Sequence, residues 1–142
     1  MSSIECQLAQ GCVGDLIVIG SKENPVSITV DTALGPDRRP RWTKGGTPTV
    51  SAGKQMWWCD HDPDFKELLD TRGKNDVESA LGEWTRMEIE ADGKRLRVFV
   101  NGKQVNEAYD VSPAGGKILL QCEGFEIFFR KFELHPLKEK AK

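Results

Sequence analysis

The sequence predicts an all-β domain, a sandwich or barrel built from short antiparallel strands. Three observations predict it. Two tight turns, Asp92-Gly93 and Asn101-Gly102, join three strand-like runs in the second half. Several short alternating runs separated by glycine and proline fill the first half. At 142 residues, with 38% hydrophobic and 30% charged residues, the chain has the size and composition of one globular domain with a real core.

The elements follow in order. Ile4 to Ala9 alternates, Asp15 to Ile19 is apolar on both faces, and Val26 to Val30 alternates again. Apolarity on both faces predicts a strand covered on both sides. Leu34 to Pro48 holds Gly-Pro, Arg-Arg-Pro and Gly-Gly and reads as a long loop, a class of segment that is often functional. Asp60 to Asp76 is polar, with one short helical turn expected near Phe65 to Leu69. Trp84 to Ala91 sets Thr85, Met87, Ile89 and Ala91 on one face, with Trp84 read as a core residue at the strand's start. Lys94 to Val100 turns Leu96, Val98 and Val100 inward, and Lys103 to Tyr109 returns. Ser112 to Gly116 breaks the pattern. Lys117 to Glu123 and Phe125 to Leu134 then predict two more strands around Gly124. One domain is expected over residues 1–137, followed by a basic, disordered tail over 138–142.

Composition also excludes. The net charge of −2 gives no basic field, so no nucleic-acid partner is expected. No apolar run approaches the roughly 20 residues that a membrane helix needs, so no membrane partner is expected. The Met1-Ser2-Ser3 start lacks the basic and apolar regions of a signal peptide, which makes the cytoplasm the default location. Cys6, Cys12, Cys59 and Cys122 form no CxxC pair and read as reduced thiols. No metal motif or cofactor is predicted; a bound divalent cation would have to use oxygen ligands such as Glu5, Asp60 or Asp62.

Several residues could carry chemistry. Glu5 and Gln7 share one strand face, and Gln121 and Glu123 repeat the arrangement later, so each strand offers an acid and an amide together. Such a face would suit sugar hydroxyls, which need both donors and acceptors, or it is simply a solvated strand face. The run Trp57-Trp58-Cys59-Asp60-His61-Asp62 combines aromatic faces, which stack on sugar C–H faces, with acids that bind hydroxyls. Consecutive residues of a strand point to opposite sides, so at most one of Trp57 and Trp58 meets a ligand. Trp42, in the long loop, is a comparable candidate. His61 reads as a surface residue that could act as a base.

The segment Gly82-Glu83-Trp84-Thr85, the turn Val100-Asn101-Gly102-Lys103, the run Gly116 to Gly124 and the run Glu126 to Phe132 occur in an order that resembles the 3-keto-disaccharide hydrolase family. Ile4-Glu5-Cys6-Gln7-Leu8 resembles that family's E-x-Q strand. Thr85 and Lys131 depart from it, standing where the family commonly has Asn. The resemblance implies a jelly-roll β-sandwich of the concanavalin A-like lectin/glucanase type, with two antiparallel sheets and a carbohydrate or small-molecule ligand. It further implies a role in cleaving or holding 3-keto-glycosides. Glu5, Glu123 and His61 are then candidate catalytic bases, and Gln7, Gln121, Trp42, Trp57, Trp58 and Asp60 candidate ligand contacts. Related glucanases use E-x-D-x-x-E on one strand; Glu5, Gln7 and Gln10 occupy those spacings here, and an amide cannot replace a catalytic carboxylate. A 3-keto sugar has an easier route, because its ketone acidifies the neighbouring C–H and one base plus an enolate-stabilising group suffices. In the family the E-x-Q strand lies mid-domain. Starting near it leaves sheet edges open, and a homodimer or higher homo-oligomer is expected to cover them. Two other functions stay open: a non-catalytic glycan- or ligand-binding module, and an oligomerising protein with a non-sugar ligand.

Overall fold

The computed structural model describes residues 2–66, 68, 71–122, 124 and 126–137. Its regular structure is entirely β. The strands are β1 (Ser3–Cys6), β2 (Leu16–Ile19), β3 (Ser27–Leu34), β4 (Pro40–Trp42), β5 (Thr47–Ser51), β6 (Gln55–Met56), β7 (Met87–Asp92), β8 (Arg95–Val100) and β9 (Lys103–Ser112). They form two antiparallel sheets. One has three strands in the order β1-β2-β6; the other has six, in the order β4-β3-β9-β8-β7 with β5 also on β3. Thr29 pairs with both Tyr109 and Val50, and Thr32 with both Trp42 and Thr47. Strand β5 therefore lies along one side of β3, while β9 and then β4 share the other.

Alternation decides what is buried. Leu16 and Val18 on β2, Met56 on β6 and Trp58 meet Ile28, Val30, Val98, Val100, Val105 and Ala108 from the larger sheet. Ile4 and Cys6 pack onto the same core. The β8–β9 hairpin turns on Asn101 and Gly102, whose φ angles of 48° and 82° match the strand twist. The Asn101 side chain then ties the preceding segment down, donating to the Val77 carbonyl at 2.8 Å and accepting from the Arg86 N–H at 3.0 Å. A bulge in β9 turns Asn106 inward, where its amide donates to the carbonyls of Gly14 and Met56, each at 3.2 Å. This buried amide spans the two sheets.

Five expectations need correction. The stretch Leu34 to Pro48 is not one long loop: it contains β4 and the start of β5. Pro40 and Pro48 argued against strands, but proline is tolerated at a strand start or on an outer strand, which is where these two sit. Strand β2 is covered on one face only, since Ile19 is exposed. Trp84 lies outside the core, 48% exposed, with the Arg130 guanidinium 5.1 Å from its ring centre. The strands expected at Lys117 to Glu123 and Phe125 to Leu134 are not formed among the described residues. Ile118, Leu119, Leu120, Phe128, Phe129 and Phe132 remain exposed there, because an alternating sequence becomes a strand only when a neighbour accepts its hydrogen bonds. Phe65, Lys66 and Leu68 are not helical; Glu67 and Leu69, and the tail 138–142, lie outside the described residues.

Candidate functional site

A hollow of about 250 Å³ opens at one end of the sandwich, between the β3–β4 hairpin and the segment after β6. Its wall includes Arg41, Thr43, Cys59, Asp60, His61 and Asn75. The hairpin is closed by the Gly35 N–H donating to the Arg39 carbonyl at 2.9 Å, with Arg38 at φ 62°. That geometry projects Arg41 from β4 across the face of Gly35. A methyl group on Gly35 would lie 1.0 Å from Arg41 Nη1, so only glycine leaves room for the guanidinium as placed.

Arg41 is buried and only partly satisfied. Its Nε donates to the His61 carbonyl at 3.1 Å, and its Nη1 donates to Asp37 Oδ1 at 2.7 Å. Nη2 has no hydrogen-bond partner among the described residues. Partial burial works against the charge of Asp37, but the Arg39 N–H and the Arg41 guanidinium outweigh it and hold the carboxyl below its ordinary range.

His61 is 4% exposed, so the surface position expected for it is corrected. Its ring rests on Trp57, with centroids 3.8 Å apart, and meets the edge of Phe65 at 5.5 Å. Burial, helped by the charge of Arg41, pushes its pKa down to about 4. Behind it Asp15 is fully buried: Oδ1 accepts from the Trp58 N–H at 2.7 Å, and Oδ2 accepts from Gln55 Nε2 at 2.9 Å. Burial raises the Asp15 pKa to about 7 against those two hydrogen bonds. His61 Nδ1 is 3.9 Å from Asp15 Oδ2, too far for a hydrogen bond, and finds no other partner among the described residues. On the rim, Asp60 Oδ2 accepts from Lys103 Nζ at 2.6 Å.

The other sequence candidates are placed as follows. Trp57 and Trp58 point to opposite sides, Trp57 stacking on His61 and Trp58 filling the core. Trp42 is buried and borders a second, smaller hollow of about 90 Å³ with Asp31, Lys44, Arg95, Glu107 and Tyr109. Glu5 lies on the side of β1 opposite Ile4 and Cys6, hence away from the core, Gln7 follows the strand, and neither lines a hollow. Gln121 is exposed outside any strand, and Glu123 lies outside the described residues. The described residues therefore bring Asp60, His61 and Trp57 together, but not the two acid–amide pairs. Sequence reading missed Arg41 and Asp15. A lone aspartate at the head of an apolar strand was the available signal for Asp15; nothing local marked Arg41.

Burial pushes the Cys6 thiol up to about 12. Compared with known proteins, residues 23–135 match a family described as the 3-keto-alpha-glucoside-1,2-lyase-like domain. No curated protein and no solved structure matches.

Proposed function

The chain belongs to the 3-keto-alpha-glucoside-1,2-lyase-like family, and on that premise we propose that the Arg41 hollow receives a 3-keto glycoside and eliminates its aglycone. The observation that carries this is chemical: the lining of the hollow includes both a guanidinium with an unspent donor, Arg41 Nη2, and a carboxylate, Asp60. These are an oxyanion partner and a base. Thr43 and Asn75 add a hydroxyl and an amide suited to sugar hydroxyls.

In this reading the ketone oxygen at C3 faces Arg41. The ketone acidifies the C2–H bond, and Asp60 takes that proton. The electron pair collects on the ketone oxygen as an enolate, which the buried cation stabilises more than it stabilises the neutral ketone. The enolate then collapses: a C1=C2 double bond forms, the glycosidic C1–O bond breaks, and the departing oxygen takes the proton from Asp60. The products are the free alcohol and a conjugated enone; water adding across the double bond afterwards would give net hydrolysis. His61, neutral in its buried position, packs the wall and supplies its carbonyl to Arg41 Nε.

The test is turnover of 3-keto-trehalose, followed by the ultraviolet absorbance of the enone. Asp60→Asn should lower kcat by about 10²–10⁴-fold with little change in substrate binding. Arg41→Lys should cost about 10²–10³-fold in kcat. Saturable binding by the wild type without turnover would make the chain a sugar-holding module; neither binding nor turnover would remove sugars from the account.

A further inference from the structure

Behind the wall of the hollow, three different side chains converge. Cys12 comes from the turn that follows β1, Asp15 from the residue before β2, and His61 from the segment after β6. One ligating atom from each, thiol, carboxylate oxygen and imidazole nitrogen, lies within 4.8 Å of the other two. All three residues are buried, at 7%, 0% and 4% exposure.

From this convergence we propose that Cys12, Asp15 and His61 form a binding site for a zinc-class divalent cation. The first argument is His61 Nδ1, which is buried, aimed at Asp15 across 3.9 Å, and without a hydrogen-bond partner among the described residues. A buried polar nitrogen left unmatched costs about 1–3 kcal/mol, and a metal in that gap would satisfy it. The second is spacing. Tetrahedral bonds of about 2.0–2.3 Å put neighbouring ligand atoms about 3.3–3.8 Å apart. The Asp15–His61 separation of 3.9 Å is already close to that, and the wider pairs need to close by about 1 Å, within reach of side-chain rotation.

The third argument is charge. A thiolate and a carboxylate together carry two negative charges, which a divalent cation cancels, so the buried group as a whole is neutral. The nearest cation, Arg41, is already matched by Asp37 at 2.7 Å. Ligand type then selects the metal. Sulfur, nitrogen and one oxygen suit zinc or cobalt, while calcium and magnesium require more oxygen ligands than this cluster holds. The supporting shell is in place as well: Trp58 N–H and Gln55 Nε2 orient the carboxylate, and Trp57 and Phe65 clamp the imidazole.

Cys12 and Asp15 do not line the hollow. A bound ion would therefore tie the turn before β2 to the segment carrying Asp60 and His61, and so fix the His61 carbonyl on which Arg41 Nε rests. The site does not depend on the reading of the hollow as a lyase centre, and it is tested without turnover.

The full chain, stripped with a chelator, is titrated with Co²⁺ and read by absorbance. One equivalent should bind, with a thiolate-to-cobalt band in the near ultraviolet and visible bands of tetrahedral strength, and Zn²⁺ should displace it. Cys12→Ser should abolish the near-ultraviolet band, and His61→Gln should weaken binding by at least about tenfold. Gln55→Ala, which disturbs only the support of Asp15, should weaken it by about 10–100-fold. Cys59→Ser should change nothing. Absence of a cobalt band in the wild type would overturn the proposal whether or not the variants fold. So would a band that survives Cys12→Ser, or one lost in Cys59→Ser.

Discussion

In β8, Leu96, Val98 and Val100 alternate with arginine and phenylalanine, and Val98 and Val100 are fully buried beneath the smaller sheet. Between Ile118 and Leu134 apolar residues are as dense, yet Ile118, Leu119, Phe128 and Phe132 stay exposed and outside any strand. Composition does not separate these regions. What separates them is a neighbour. Strand β8 is flanked by β7 and β9 through two-residue or similarly short turns, so its partners arrive with it at little loop-closure cost. The described residues between 113 and 137 follow β9 through Pro113 and two glycines, and no described strand pairs with them. The larger sheet shows the counterpart of this: Ile89 on β7 is 51% exposed, while Val98, directly across from it, is 0% exposed. The apolar face of the sheet runs out from under its cover at β7.

The widest test of this contrast is the same deletion made in both regions. Leu16→Ala should destabilise the fold by about 2–5 kcal/mol, as a cavity in a packed core does. Leu119→Ala should stay within about 0.5 kcal/mol, as at an exposed position. Denaturant melts of both variants decide it, and a large cost at Leu119 would mean that the segment is covered in solution.

Association comes next. The homo-oligomer expected from sequence would bury the exposed apolar segment and the uncovered strip at Ile89 on the same chain. Sedimentation should give a dimer or larger species that Phe128→Asp dissociates; a compact wild-type monomer would remove the idea.

The smallest effect concerns the stretch that leads into β7. Burial raises the Glu78 pKa to about 7, against the hydrogen bond its carboxylate accepts from the Gly11 N–H at 2.6 Å, and the nearby Asp76 adds to the rise. A carboxyl whose folded pKa lies above its unfolded value binds its proton more tightly when folded. Its contribution is therefore fully present below about 4.5 and is lost as pH rises through about 7. Melting temperatures of the wild type should fall across that window more than those of Glu78→Gln; parallel curves would show that Glu78 does not titrate there.

The turns at Asp92-Gly93 and Asn101-Gly102 made β7 to β9 legible in sequence, because turn chemistry is local and carries its own geometry. Strands β4 and β5 were hidden because their partner, β3, precedes them across a loop and because two prolines sit at positions that only the sheet's outer edge excuses. The site divides the same way. Asp60, His61 and Trp57 are neighbours in the chain and were visible as a cluster. Arg41 and Asp15 matter because of what folding packs around them: a glycine that leaves room for a guanidinium, and a carboxylate enclosed between two sheets. Neither fact exists until distant segments meet.

Asn106 has a consequence for how the sheets are held in step. Oil-like packing alone would let two greasy layers glide past each other with little resistance, since one valine resembles the next. The amide acts as a dowel, fitting only when the backbone oxygens of Gly14 and Met56 stand opposite it. Slippage by a single residue would strand all three groups without water. Because Gly14 adjoins Asp15, and Met56 leads directly into Trp57, that one peg also sets where the imidazole and the carboxylate come to rest.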